Sequence, residues 1–323
     1  MRILLGCRAS RLVFGSLAAQ PAAIDEQPAS ERAAQQQRAA QQSRAEPPKR
    51  SAASGPGWSE VFISPQLASS TQSAADAVAS GFSLLLLHEL AERSECEELR
   101  GEASAVAHAS RRRSTLLRGA LLEDAPEEAV TPGQVRMPIV EMLCESSQAL
   151  CDRLLLRGVG RVHGAFPSLL PMLFGDKGIG SIPWSSVPSG PLLSAPSLGP
   201  SITRDPGLVF TPGEPACNVY TTGGQFTPHE DGQALTVIVV LSGGEAFSGG
   251  GTSFWSATEG AASGRASGAR ALHVNPQSEP SFVLTPPAGS ALVFGGNVTH
   301  AGESVVGGER TVFVASFSTR AAR

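Results

Sequence analysis

His229 and Asp231 stand two residues apart, with Glu230 between them. In an extended chain the side chains of residues i and i+2 leave the same face, so one imidazole and one carboxylate can meet at a single metal ion. A third ligand must come from the other histidines, which are His88, His108, His163, His273 and His300. His300 is the best placed, because it follows shortly after the apolar stretch Ser290 to Phe294. Two histidines and one carboxylate on one face of an octahedron leave positions open for small ligands, which suits iron(II) and O₂ chemistry. A His-x-Asp tripeptide alone is a weak signal, since any one of these histidines is more often a hydrogen-bonded structural residue. Arg310 changes the weighing. It follows His300 by ten residues, past Val306-Gly307-Gly308, on a segment expected to return alongside as a hairpin. A guanidinium there can hold a carboxylate by two parallel hydrogen bonds, as a dicarboxylate chelating the metal through a 2-oxo acid end would require.

The elements that must position these groups are short strands. Cys217 to Tyr220 is bounded by Gly223-Gly224, and Leu235 to Leu241 is rich in β-branched residues and nearly all apolar. Such a run fits a strand buried on both faces. Ser281 to Leu284, Ser290 to Phe294 and Thr311 to Phe317 complete the set, punctuated by Gly and Pro. This texture predicts a β-sandwich or jelly roll over residues 205–323. Val237, Val239 and Val293 are the expected apolar walls of its cavity.

Residues 58–175 read as helical. Ala75 to Arg93 and Ala103 to Leu122 carry helix formers without interior Pro. Met137 to Leu156 sets Ile139, Met142, Leu143, Leu150, Leu154 and Leu155 mostly at three- and four-residue steps, an amphipathic pattern. Arg153 and Arg157 suit the dipole at its end, and Gly158 is a plausible C-cap. The run Arg111-Arg112-Arg113 is expected on a solvated face. Residues 176–204 are dense in Gly, Pro and Ser and form a linker or a draped loop. Residues 1–57 are low in complexity, with few large apolar side chains after Phe14, and read as disordered. Within them Met1 to Ile24 holds three arginines and no acid, a composition like an organelle transit peptide or else an untargeted leader. The fold class expected is therefore α+β: a disordered N-terminus, a helical region, and a jelly-roll domain.

Bulk composition excludes some partners. A net charge of −4 leaves no basic footprint for a nucleic-acid backbone. No stretch is long and apolar enough to span a bilayer as a helix, Leu84 to Leu87 being cut short by His88 and Glu89. The five cysteines, Cys7, Cys96, Cys144, Cys151 and Cys217, include no C-x-x-C pair, which argues against a disulfide framework or zinc ribbon. Cys144 and Cys151, seven apart on one helical face, are expected as buried free thiols, and a reducing intracellular compartment is the default.

The same residues resemble a known family. YTTGGQFTPHED from Tyr220 to Asp231 looks like the metal-binding signature of the prolyl 4-hydroxylase-like 2-oxoglutarate/iron(II) dioxygenases. FSGGGTSFW from Phe247 to Trp255, PAGSALVF from Pro287 to Phe294 and HAGESVVGGER from His300 to Arg310 match in the same order. The resemblance covers about residues 205–318 and implies a double-stranded β-helix with the metal at one open end. It implies iron bound by His229, Asp231 and His300, the 5-carboxylate of 2-oxoglutarate paired with Arg310, and a hydroxyl supplied by Tyr220, the chain's only tyrosine. It further implies O₂ as co-substrate, ascorbate as an accessory cofactor, and hydroxylation of a peptide or protein residue such as proline. Animal collagen-modifying members usually carry Lys where this chain has Arg310, so the match is to the broader group. The separation of Asp231 from His300 is long for the family, with the excess in the Gly-, Ala- and Ser-rich stretch Ser256 to Pro280, where His273 is read as a loop residue. Trp255 at its mouth is read as touching substrate or packing in the core, and Glu230 as structural.

Three rival readings are weaker. A non-catalytic jelly-roll binding protein need not keep the triad and the arginine together. An AlkB-type oxygenase acting on nucleic acid carries a second arginine six residues after the first, where this chain has Ser316. A cupin isomerase uses more histidines and needs no such arginine. An oxygenase acting on a small molecule stays open beside the peptide reading.

Overall fold

The computed structural model describes residues 57–63, 73–120, 133–187, 201–255 and 279–320. Residues 1–56, where the disorder and the targeting segment are expected, and residues 256–278, with His273, lie outside the described residues.

Alternation within the strands sets the architecture. The largest sheet joins β1 (Trp58–Phe62), β2 (Ser83–Leu87), β13 (Ala291–Phe294), β9 (Leu235–Val240), β16 (Arg310–Thr319), β7 (Ala216–Tyr220) and β3 (Gln134–Pro138) in that order, and β6 (Leu208–Phe210) also pairs with β16. A smaller sheet has the order β12 (Phe282–Leu284), β11 (Thr252–Phe254), β14 (His300–Gly302) and β8 (Phe226–His229). Two hairpin-like pairs complete the set, β10 (Phe247–Gly249) with β15 (Val305–Gly308) and β4 (Gly178–Ile179) with β5 (Ile182–Pro183). From β7 onward the chain crosses repeatedly between the large sheet and the small ones, the antiparallel wrapping of a jelly roll.

Both faces of the large sheet are apolar, and each has its own core. One face carries Leu85, Leu87, Met137, Cys217, Val219, Val237, Val239, Val293, Phe313 and Ala315 against the helices. The other carries Ala216, Tyr220, Ile238, Leu292, Phe294, Val312 and Val314 against Phe254 and Phe247 of the small sheets. Side-chain period two makes this separation strict, because neighbours in a strand face opposite ways. Val237, Val239 and Val293 therefore pack on helices. The expectation that they wall the metal cavity is wrong by one residue, and Ile238, Val312 and Val314 hold that place.

The helices are α1 (Ala74–Ala79), α2 (Arg93–Ala120), α3 (Ile139–Met142), α4 (Glu145–Ala165) and α5 (Leu169–Phe174). Ser73 caps α1 by accepting from the Asp76 backbone N–H at 3.2 Å. α4 buries Leu150, Cys151, Leu154, Leu155, Val159 and Val162 on the sheet, at the spacing an amphipathic helix needs. Gly158 lies inside α4 rather than capping it, since the helix runs on to Ala165. Arg157 instead turns inward, forking onto Glu95 at 2.7 and 2.9 Å and tying α4 to α2.

The expectation of helix throughout 58–175 needs correction, for that stretch also supplies β1, β2 and β3. Leu84 to Leu87 is a fully buried strand, pairing with β1 on one side and β13 on the other. A short apolar run of this kind cannot be told from a helix by periodicity. Met137 likewise lies in a strand, and Cys144 is the exposed N-cap of α4 while Cys151 is buried inside it. Cys96, Cys144, Cys151 and Cys217 are all free thiols. Arg111 is only partly solvated and donates to the Gly133 carbonyl at 3.3 Å. Among the described residues no helix is long and apolar enough to cross a membrane.

Candidate metal centre

β8 ends on His229 and β14 begins on His300, and the two residues are direct partners in the antiparallel ladder. Directly opposed residues send their side chains to the same face, so the pairing itself brings the imidazoles together, with ring centroids 4.4 Å apart. Asp231, two residues beyond His229, completes the group: its Oδ1 is 3.4 Å from His229 Nε2 and its Oδ2 is 3.7 Å from His300 Nε2. One ligand atom from each of the three lies within 4.8 Å of the others.

The outer contacts orient these ligands. His229 Nδ1–H donates to the Thr227 carbonyl at 2.8 Å, and His300 Nδ1–H donates to the Val298 carbonyl at 3.0 Å. Each bond commits Nδ1 to its carbonyl and turns Nε2 toward Asp231. The Thr236 hydroxyl donates to Asp231 Oδ2 at 2.5 Å. Burial pushes the Asp231 carboxyl up, but the His229 hydrogen bond, the charge of His300 and the Thr236 hydroxyl outweigh it and hold the group well below the usual carboxylate range. Burial drives His300 down to about 4, against the pull of Asp231. Near neutral pH Asp231 is thus ionised and the His300 ring neutral, the protonation states in which a carboxylate and an imidazole bind a divalent metal.

Arg310 opens β16 and pairs directly with Tyr220, the last residue of β7. Only 4% of Arg310 is exposed, and its Nη2 donates to Thr252 Oγ1 at 2.8 Å. Its guanidinium carbon lies 5.3 Å from the Tyr220 ring centre. Among the described residues no carboxylate forms an ion pair with it, and burial pulls its pKa down. Glycine makes room for its stem: Gly249, Gly250 and Gly251 all have positive φ, and a Cβ on Gly250 would lie 3.3 Å from Arg310 Cδ. Val306-Gly307-Gly308, read as the turn of a hairpin, lies instead within strand β15, paired with β10, and Gly308, at φ 80°, re-aims the chain into β16. Burial raises the Tyr220 phenol, opposed by Arg310, Arg136 and a hydrogen bond from Asn218.

One cleft unites these groups, with an empty volume of about 410 Å³ including its part open to solvent. His229, Asp231, His300, Arg310 and Tyr220 all line it, beside Phe226, Ile238, Val312 and Val314. Trp255 is buried outside this lining, and Glu230 accepts from the Thr299 hydroxyl at 3.2 Å. Four further lining residues escaped the sequence reading: Arg136, Glu214, Asn218 and Thr252. Period two would have put Asn218 on the face of Tyr220. Nothing local in the sequence announces Arg136, which arrives on β3 from far upstream.

No family model matches the chain, and no curated protein matches it. Among solved structures it is similar to a 2OG-Fe(II) oxygenase family oxidoreductase from Burkholderia pseudomallei, at 19% identity over 34% of this chain and 43% of that one, with a TM-score of 0.23. It is similar to the viral collagen prolyl hydroxylase of Paramecium bursaria Chlorella virus-1 in complex with 2OG, at 13% identity over 75% of this chain and 99% of that one, TM-score 0.39. HygX from Streptomyces hygroscopicus with nickel and 2-oxoglutarate bound matches at 11% identity over 78% of this chain and 88% of that one, TM-score 0.41.

Proposed function

We propose that this chain is a 2-oxoglutarate- and iron(II)-dependent dioxygenase that hydroxylates a residue of a peptide or protein, proline foremost. The observation that carries the reading is one cleft holding both a converged His-Asp-His set and a buried guanidinium with no carboxylate partner among the described residues. The donor set fits iron(II): two imidazole nitrogens, one carboxylate oxygen and an open side toward the cleft. The lone charge of Arg310 fits the far carboxylate of 2-oxoglutarate, since a buried cation without a counter-charge is costly unless a ligand supplies one.

His229, Asp231 and His300 hold the metal, Arg310 pairs with the 5-carboxylate, and Tyr220 gives it a hydroxyl. Thr252 keeps the guanidinium pointed into the cleft. Bound iron with 2-oxoglutarate supplies O₂ activation, coupling oxidative decarboxylation to succinate and CO₂ with insertion of a hydroxyl into substrate. The chain's part is to orient these groups and to keep water out, which the apolar side chains of Ile238, Val312, Val314 and Phe226 serve.

The test is succinate release and O₂ uptake by purified protein given Fe(II), 2-oxoglutarate and Pro-rich peptides. Turnover stimulated by peptide is expected, and His229→Ala should abolish it together with metal retention. Protein that binds neither metal nor 2-oxoglutarate would leave a non-catalytic jelly-roll binder as the better account.

A further inference from the structure

Metal and co-substrate do not use up the polar groups of the cleft. Arg136, Glu214 and Asn218 also line it, and beyond the Asn218 hydrogen bond and the Arg136 charge felt by Tyr220 no role assigned so far involves them. Arg136 on β3 and Asn218 on β7 are direct ladder partners, and Asn218 lies two residues before Tyr220 on the same face. Asn218 is only 5% exposed, yet its Oδ1 is buried with no hydrogen-bond partner. A buried acceptor left unmade costs stability, so such a group in a cleft marks a place where a ligand donor belongs.

Arg136 supplies the complement. Its Nη2 pairs with Glu214 Oε1 at 2.6 Å and its Nε donates to the Gly213 carbonyl at 3.4 Å. Glu214 is pinned in turn, its Oε2 accepting from the Ser316 backbone N–H at 2.5 Å. The remaining nitrogen, Nη1, has no acceptor among the described residues, and the side chain, which lines the cleft, is 26% exposed. The Arg136 charge is already matched by Glu214, so an anionic ligand would have to compete with a buried carboxylate. What remains on offer is one neutral acceptor beside one donor. An amide, with C=O and N–H side by side, satisfies both without bringing charge.

We propose that Arg136 and Asn218, with Glu214 holding the guanidinium in place, form a subsite that grips a backbone amide of a peptide substrate beside the residue offered to the metal. The proposal rests on the oxygenase reading and narrows it to peptides over sugars or free small acids. Hydroxylated small molecules could also offer donors and acceptors, so they enter the test as the competing outcome.

The experiment uses the full chain loaded with Ni(II) and 2-oxoglutarate, which cannot turn over. A pool of N-acetylated, C-amidated hexapeptides with a central proline is passed over it, and the tightest binder is then N-methylated one amide at a time. We expect one N-methyl position to weaken binding about tenfold in the parent protein. In Asn218→Ala the unmethylated peptide should bind about tenfold more weakly, and N-methylation at that same position should have no further effect. The double variant Arg136→Met/Glu214→Gln, which leaves no lone buried charge, should weaken the peptide similarly while keeping the rise in melting temperature caused by 2-oxoglutarate. Fully additive effects of Asn218→Ala and every N-methyl group would overturn the proposal. So would a pool that does not bind while an aminoglycoside does. Loss of the 2-oxoglutarate shift in the parent protein instead sinks the oxygenase reading beneath it.

Discussion

Replacing Arg310 by Met separates ligand binding from folding, because the two should move in opposite directions. Arg310 is 4% exposed, and among the described residues its guanidinium has one neutral acceptor, Thr252 Oγ1 at 2.8 Å. Without co-substrate the side chain is a buried cation with no ion-pair partner among the described residues, and exchange for an apolar chain of similar length should be neutral or stabilising. With 2-oxoglutarate present the same exchange strands a buried carboxylate. Breaking a buried ion pair from one side costs roughly 3–5 kcal/mol, and each 1.4 kcal/mol is about tenfold in affinity, so binding should fall by at least about 100-fold. Calorimetric titration of the Ni(II)-loaded protein reads the affinity directly. Melting curves read the other half: co-substrate at a hundredfold excess over Kd stabilises the parent protein by about 2.7 kcal/mol, and Arg310→Met should lose nearly all of this at that concentration. A variant that binds 2-oxoglutarate as tightly as the parent would refute the role assigned to Arg310. One that melts far lower without ligand would show that the guanidinium is structural.

Other consequences follow from the contacts around the triad. Thr236→Val keeps the volume of a fully buried residue but removes the 2.5 Å bond to Asp231. Metal affinity, measured by chelator competition, should fall roughly 10–100-fold with little change in fold stability; an unchanged affinity would mean that Asp231 is held by other means. Metal-free protein should lose stability as pH falls from about 6.5 to 4, since the buried His300 ring titrates at about 4 against an ordinary 6.5. The sign follows from protons: the unfolded chain takes up the proton first, so the native state is favoured above 6.5 and loses that advantage on acidification, by about 3 kcal/mol in all. Urea unfolding of parent and His300→Gln across this range checks it, and equal slopes in the two would remove His300 as the cause.

Much of the site was legible because its ligands sit at spacings that local geometry interprets. His229 and Asp231 meet because extended chain repeats every second residue; Arg310 reaches the cleft by another route than the expected hairpin beside His300, since β16 runs along β7 and β9 while β14 belongs to the smaller sheet. The roles of the apolar residues were harder. Leu235 to Leu241 is apolar at every residue but Thr236, so that one hydroxyl is all that hints at which half faces helices and which faces the cleft. Val237 and Val239 went to the helices and Ile238 to the site. The run Leu84 to Leu87 suffered the same ambiguity between helix and strand, settled only by pairing with β1 and β13. Arg136 was out of reach altogether, because its place beside Asn218 is a tertiary pairing between segments far apart in the chain.

That pairing bears on how the protein can be cut. β3 closes the open flank of β7, and β1 with β2 covers the opposite border beyond β13. A fragment starting near residue 205 would keep His229, Asp231 and His300 yet bare two rows of unsatisfied amides and carbonyls, an invitation to strand exchange and clumping. It would also strip α4 from the face holding Val237 and Phe313. The smallest soluble piece should therefore begin upstream of Trp58, and a catalytic jelly roll trimmed to its motifs should come out as aggregate.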